Sequence, residues 1–172
     1  MSDLPSTILS FMKICFQIYS GVLVVVFLAY GMDVRQKAGA RDFVAQAWQR
    51  LMKICSFSLI ALFIWIVLLM KEAGAMDWLC LTVMTIGTAF VCAAKGGLGK
   101  AHTFSGQCLE KPILVTRGIY SRTRNPLYLG VLLCEIGASL FVLHQAPIVF
   151  PYTRLFWLSL FLPALLYAVG FN

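Results

Sequence analysis

Long apolar runs separated by short polar or basic stretches dominate the chain. A helix needs about 20 predominantly apolar residues to cross a bilayer, and five runs approach that length: residues 14–32, 54–70, 78–94, 126–146 and 148–172. Helices are expected because a backbone polar group left unpaired in lipid costs several kcal/mol. The fourth run is interrupted only by Glu135, Arg154 near the start of the fifth can reach toward an interface, and Pro163 should kink that run. The pattern predicts an all-α polytopic membrane protein of about five transmembrane helices. We see no internal repeat, so residues 1–172 read as a single domain.

The connections are unequal. Residues 32–53 carry Arg35, Lys37, Arg41, Arg50 and Lys53, and residues 95–125 carry Lys95, Lys100, Lys111, Arg117, Arg122 and Arg124. One of the two other connections holds Lys71, Glu72 and Asp77, and the last holds His144, read as an exposed loop residue. The positive-inside rule puts both basic connections in the cytoplasm, with the N-terminus outside and the C-terminus cytoplasmic. Lys13 at the outer end of the first run goes against this. Within residues 33–53, Val34, Phe43, Val44, Trp48 and Leu51 recur at roughly helical spacing, as in a helix lying on the inner leaflet. A solvated helical hairpin fits the same spacing.

Composition agrees with this reading. Hydrophobic residues make up 60% and charged residues 12%, against about 25% charged in an average soluble domain, so a soluble globule and a disordered chain are excluded. The net charge of +7 sits between the apolar runs, which suits topology and anionic headgroups rather than nucleic acid. Six cysteines without a C-x-x-C pair and only two histidines suggest neither a disulfide framework nor a metal site. The first run is long and lacks a cleavage site, so no signal peptide is expected. Lys95-Gly96-Gly97-Leu98-Gly99-Lys100 lacks the spacing of a phosphate-binding loop and reads as a flexible exit from the third helix.

The segment dense in chemistry is residues 112–130, PILVTRGIYSRTRNPLYLG. Gly118 permits a tight turn, and Asn125-Pro126 has the form of an N-cap followed by the first helical position. A helix start flanked by Arg117, Arg122 and Arg124 offers free N–H groups and positive charge to an anionic group. Tyr120 and Tyr128 add flat amphipathic surfaces at the lipid boundary. These features describe a cytoplasm-facing site for a polar ligand with an acidic group. They also describe a positive-inside anchor with interfacial tyrosines.

The run Leu114-Val-Thr-Arg-Gly-Ile-Tyr120, followed by Arg124-Asn-Pro-Leu-Tyr-Leu-Gly130, resembles the signature of the isoprenylcysteine carboxyl methyltransferase and phospholipid methyltransferase superfamily. Those are integral membrane enzymes that use S-adenosylmethionine. The resemblance implies methyl transfer at the cytoplasmic membrane face to a lipophilic or small acceptor, a carboxylate, thiol or amine. It implies cofactor contacts at Ile113, Leu114, Val115 and Tyr120, completed by Asn125, Pro126, Leu127 and Tyr128, with a polar contact upstream near Gln107. Asn125 stands where eukaryotic members have His and is similar to the bacterial form, which points to a bacterial inner membrane rather than the endoplasmic reticulum.

The family's pattern continues after its last span with an Arg and a pair of Glu that close the cofactor pocket. The 172 residues end about where that segment would begin, so a non-catalytic membrane module of the same fold is the second expectation. Glu135 and His102 are the candidates for a catalytic role. An acidic residue within a span costs about 2.5–3.5 kcal/mol at the centre and usually faces a cavity or a partner. For Glu135 a polar group on another span is the expected partner, and Gly130, Cys134, Gly137 and Ala138 form a close-packing face. Membrane lipids and the acceptor are the expected partners, the sequence is silent on oligomeric state, and a transporter is disfavoured by the lack of an inverted repeat.

Overall fold

The computed structural model describes residues 6–31, 40–42, 46–98, 107–109 and 115–149. Among these, four helices run up and down: α1 Ser6–Gly31, α2 Gln46–Leu69, α3 Ala75–Leu98 and α4 Pro126–Val149. The bundle has two unlike ends. At one, the five-residue link between α2 and α3 makes a tight turn. At the other, the two long basic connectors meet as a two-stranded antiparallel ladder, β1 Ala40–Asp42 and β2 Gln107–Leu109, with Arg41 opposite Cys108.

Among the described residues, three helices are long and apolar enough to cross a membrane: Thr7–Gly31, Ala75–Leu98 and Pro126–Ile148. The apolar part of α2, Lys53–Leu69, is shorter. Several expectations change. The first helix starts at Ser6 rather than residue 14, because Lys13 ends an apolar run without breaking a helix. The second starts at Gln46 rather than 54, so the inner-leaflet helix expected over 33–53 is not one element. Its residues 46–53 are the first turns of α2, and 40–42 are extended, paired along one edge across the ladder instead.

The break expected between the fourth and fifth runs is also absent. α4 continues through Pro147 and Ile148 to Val149, so Pro147 costs the helix one backbone donor without breaking it there. The remainder of the expected fifth span, residues 150–172, lies outside the described residues, as does Pro163. At the end of α3, Lys95, Gly96, Gly97 and Leu98 are helical rather than a flexible exit.

The core takes one aromatic ring from each helix. Phe16 of α1 stacks on Phe141 of α4 with centroids 5.5 Å apart, and Phe141 meets Phe63 of α2 at 4.9 Å. Trp78 of α3 stands edge-on to Phe16 at 5.3 Å. Gln17 donates to the Val67 carbonyl at 2.9 Å, tying α1 to α2. α3 and α4 form the most extensive interface, and its closeness has a simple cause. A Cβ on Gly87 would lie 2.7 Å from the Gly130 carbonyl oxygen, one on Gly130 2.7 Å from that of Gly87, and one on Gly137 2.9 Å from that of Cys80. Small residues let two backbones touch, which is how helices gain packing energy where no hydrophobic force drives them together.

Candidate functional site

The described motif residues, 115–130, lie at the connector end, where α3 stops and α4 starts. Gly118 takes the left-handed φ of 64° that its lack of a Cβ permits. The chain then makes one 3₁₀ turn, Gly118–Ser121, closed by Ser121 Oγ donating to the Gly118 carbonyl at 2.8 Å. The Arg122 and Thr123 N–H groups both donate to the Ile119 carbonyl at 3.1 Å. This turn is docked on α3. The Tyr120 ring covers Gly97 so closely that a Cβ there would sit 3.3 Å from Tyr120 Cδ2 and Cε2.

α4 starts as its sequence predicts. Asn125 precedes the helix and its carbonyl accepts the first intrahelical bond, from Leu129 N–H at 3.1 Å, while Pro126 occupies the first helical position and is buried. The earlier N–H groups of this turn, on Leu127 and Tyr128, have no acceptor four residues back within the helix. Asn125, Arg117, Arg122 and Arg124 are exposed; Val115, Tyr120, Leu127 and Tyr128 are half-buried. Burial, and then the neighbouring Tyr128 phenol, push the Tyr120 hydroxyl above its ordinary pKa of 10.0. Ile113, Leu114 and His102 lie outside the described residues, and of Gln107 only the strand backbone is described.

Glu135 sits nine residues beyond Pro126, about 13 Å down the helix axis. It is 5% exposed. Its Oε1 accepts a 2.6 Å hydrogen bond from Ser56 Oγ of α2, and its Oε2 is buried with no partner among the described residues. The expected pairing with another span is therefore to a hydroxyl, and it uses one oxygen only. Nothing in the sequence marked Ser56, because the register between α2 and α4 has no local signature.

At the tight-turn end lies a cluster that the sequence did not indicate. Asp77, 0% exposed, accepts from Gly74 N–H and from Gln145 Nε2, each at 2.8 Å, and His144 Nδ1 lies 3.0 Å from its other oxygen. His144 is thus a residue of α4, not of a loop. The Gly74–Asp77 bond is half of a capping box, whose three-residue spacing was visible in the sequence.

Residues 75–165, more than half of the chain, match the family model described as phospholipid methyltransferase. The chain belongs to the phospholipid methyltransferase family. With it the chain joins the integral membrane methyltransferases that its motif resembles. The matched residues open on Ala75, the first residue of α3, and take in the 3₁₀ turn and all of α4. In this family member α1 and α2, with Ser56, lie outside the match. No curated protein and no solved structure matches the chain.

Proposed function

We propose that the protein transfers a methyl group from S-adenosylmethionine to a lipophilic or small acceptor at the connector end of the bundle. One observation carries this reading: the docking of Tyr120 on Gly97, which seats the turn leading into α4 on the end of α3. The donor set suits the cofactor. Exposed Arg117, Arg122 and Arg124 and the first-turn N–H groups of α4 suit its carboxylate, and the half-buried ring of Tyr120 suits its adenine.

Ile113, Leu114, Val115 and Tyr120 hold the adenosine side in this reading, and Asn125, Pro126, Leu127 and Tyr128 the amino-acid side. When bound, S-adenosylmethionine supplies an electrophilic methyl on a sulfonium. The chain's own residues supply position and shelter from water, and orientation alone is worth roughly 7–11 kcal/mol of a barrier. The basic connectors favour a cytoplasmic place for this end by the positive-inside rule, and in this reading the donor enters from water and the acceptor from the inner leaflet. We assign the protein to a bacterial inner membrane on the Asn125 form of the motif.

Titration of S-adenosylmethionine into the full chain in detergent tests this. Saturable binding that Asn125→Ala and Tyr128→Ala weaken supports the reading. No binding to folded protein overturns it and leaves the non-catalytic membrane module.

A further inference from the structure

Among the described helices only α2 is short of apolar length. Its apolar part, Lys53–Leu69, rises about 25 Å, against about 30 Å for a typical hydrocarbon core. It crosses nonetheless. Lys95 Nζ donates to the Ala29 carbonyl at 3.4 Å, which puts the ends of α1 and α3 together at the connector end. Trp78 against Phe16 puts the start of α3 beside the first half of α1, at the other end. α2 is the connection between α1 and α3, so it must travel the distance that they do.

The shortfall lies at the connector end. Two contacts set α2 against α4 in one register: Ser56 Oγ bonds Glu135 at 2.6 Å, and the rings of Phe63 and Phe141 meet at 4.9 Å. By that register Arg50 stands level with Leu129 and Lys53 with Leu132, about 4.5 and 9 Å inside the start of α4. Both cations are exposed, and the neighbouring Ile54 is 62% exposed. The helix cannot slide to make up the difference. At its far end Lys71 and Glu72 are exposed in the non-helical link, and irregular backbone does not face lipid. Tilting would shorten the crossing further, whereas thinning the bilayer accommodates a short span.

We propose that the protein binds a thinned bilayer. Beside α2 the lipid surface on the connector side sinks to the level of Arg50 and Lys53, where the two cations meet headgroup phosphates, and a hydrocarbon core of about 25 Å suits the chain best.

Thermal unfolding of the full chain in vesicles of dimyristoleoyl, dipalmitoleoyl, dioleoyl and dierucoyl phosphatidylcholine, which share a headgroup and differ in chain length, tests this. The melting temperature should peak in one of the two shorter lipids and fall through dioleoyl to dierucoyl. Lys53→Leu extends the apolar run back to Leu51, by about 4.5 Å, and should move the peak to dioleoyl. Lys53→Gln removes the charge but keeps a polar side chain and should leave the peak in place. A peak at dioleoyl or longer in the unaltered chain overturns the proposal whether or not the variants fold, as does a folded Lys53→Leu whose peak does not move. Stability that follows the protein-to-lipid ratio but not chain length would put a second copy beside α2 in place of thinned lipid, and overturns it too.

Discussion

Tyr120 lies against Gly97, 23 residues earlier in the chain, with two ring carbons 3.3 Å from the place a Cβ would occupy. The contact seats the 3₁₀ turn on the end of α3 and so fixes where the segment leading into α4 can run. Gly97→Leu should push the ring off and displace the turn. Misplacement by about 1 Å can cost on the order of 10²-fold in a positioned reaction, so methyl transfer should fall steeply while helix content, read by circular dichroism, stays unchanged. Wild-type activity in Gly97→Leu would remove the contact from any role in the site.

The Tyr120 hydroxyl gives a pH prediction. Its folded pKa is raised by burial and by Tyr128, so the folded state holds the proton more firmly than the unfolded chain does. The stability this contributes is complete below about 10, the ordinary value, and is lost as pH rises through the higher folded value. Phenolate absorbance in an alkaline titration should include a late phase from Tyr120, and Tyr120→Phe should remove that contribution. An unchanged titration in the variant would contradict the burial that the structure gives it.

Gly87 and Gly130 meet backbone to backbone, so neither has a flexible neighbour that can move aside. Gly87→Ala or Gly130→Ala should each destabilise the protein by about 1–3 kcal/mol, the usual range for overpacking. The pair should be far from additive, because both act on one approach distance. Thermal unfolding of the two single variants and the double variant in detergent measures this.

Asp77 receives donors from Gly74 and Gln145 and faces His144. Asp77→Ala would leave these groups unsatisfied, at about 1–3 kcal/mol for each that stays buried. Asp77→Asn keeps an acceptor oxygen and should cost less. The cluster is at the end away from the motif, so S-adenosylmethionine binding to folded Asp77→Asn should match wild type. A loss of binding in that variant would mean the two ends are coupled.

Apolar run length announced the helices because the chemistry of lipid leaves few alternatives, and Asn125-Pro126 announced the start of α4 because a cap is a local event. The glycine face of α4 was legible for the same reason: Gly130, Cys134 and Gly137 share one side by spacing alone. Helix starts at Ser6 and Gln46 were not legible, since hydropathy marks where a helix meets lipid rather than where its hydrogen bonds begin. The bond from Ser56 to Glu135 and the closure of Asp77 by His144 and Gln145 depend on how helices far apart in sequence slide against each other, which no local pattern records. The strand pairing of Arg41 with Cys108 was hidden for that reason too.

That pairing bears on how the connector end should be probed. Strands of three residues held by main-chain bonds draw little on side-chain identity, and each keeps one outward edge of amide and carbonyl groups. The join between the two connectors is therefore built from peptide groups. Replacing connector side chains one at a time would leave that join in place, whereas a proline within either strand would open it.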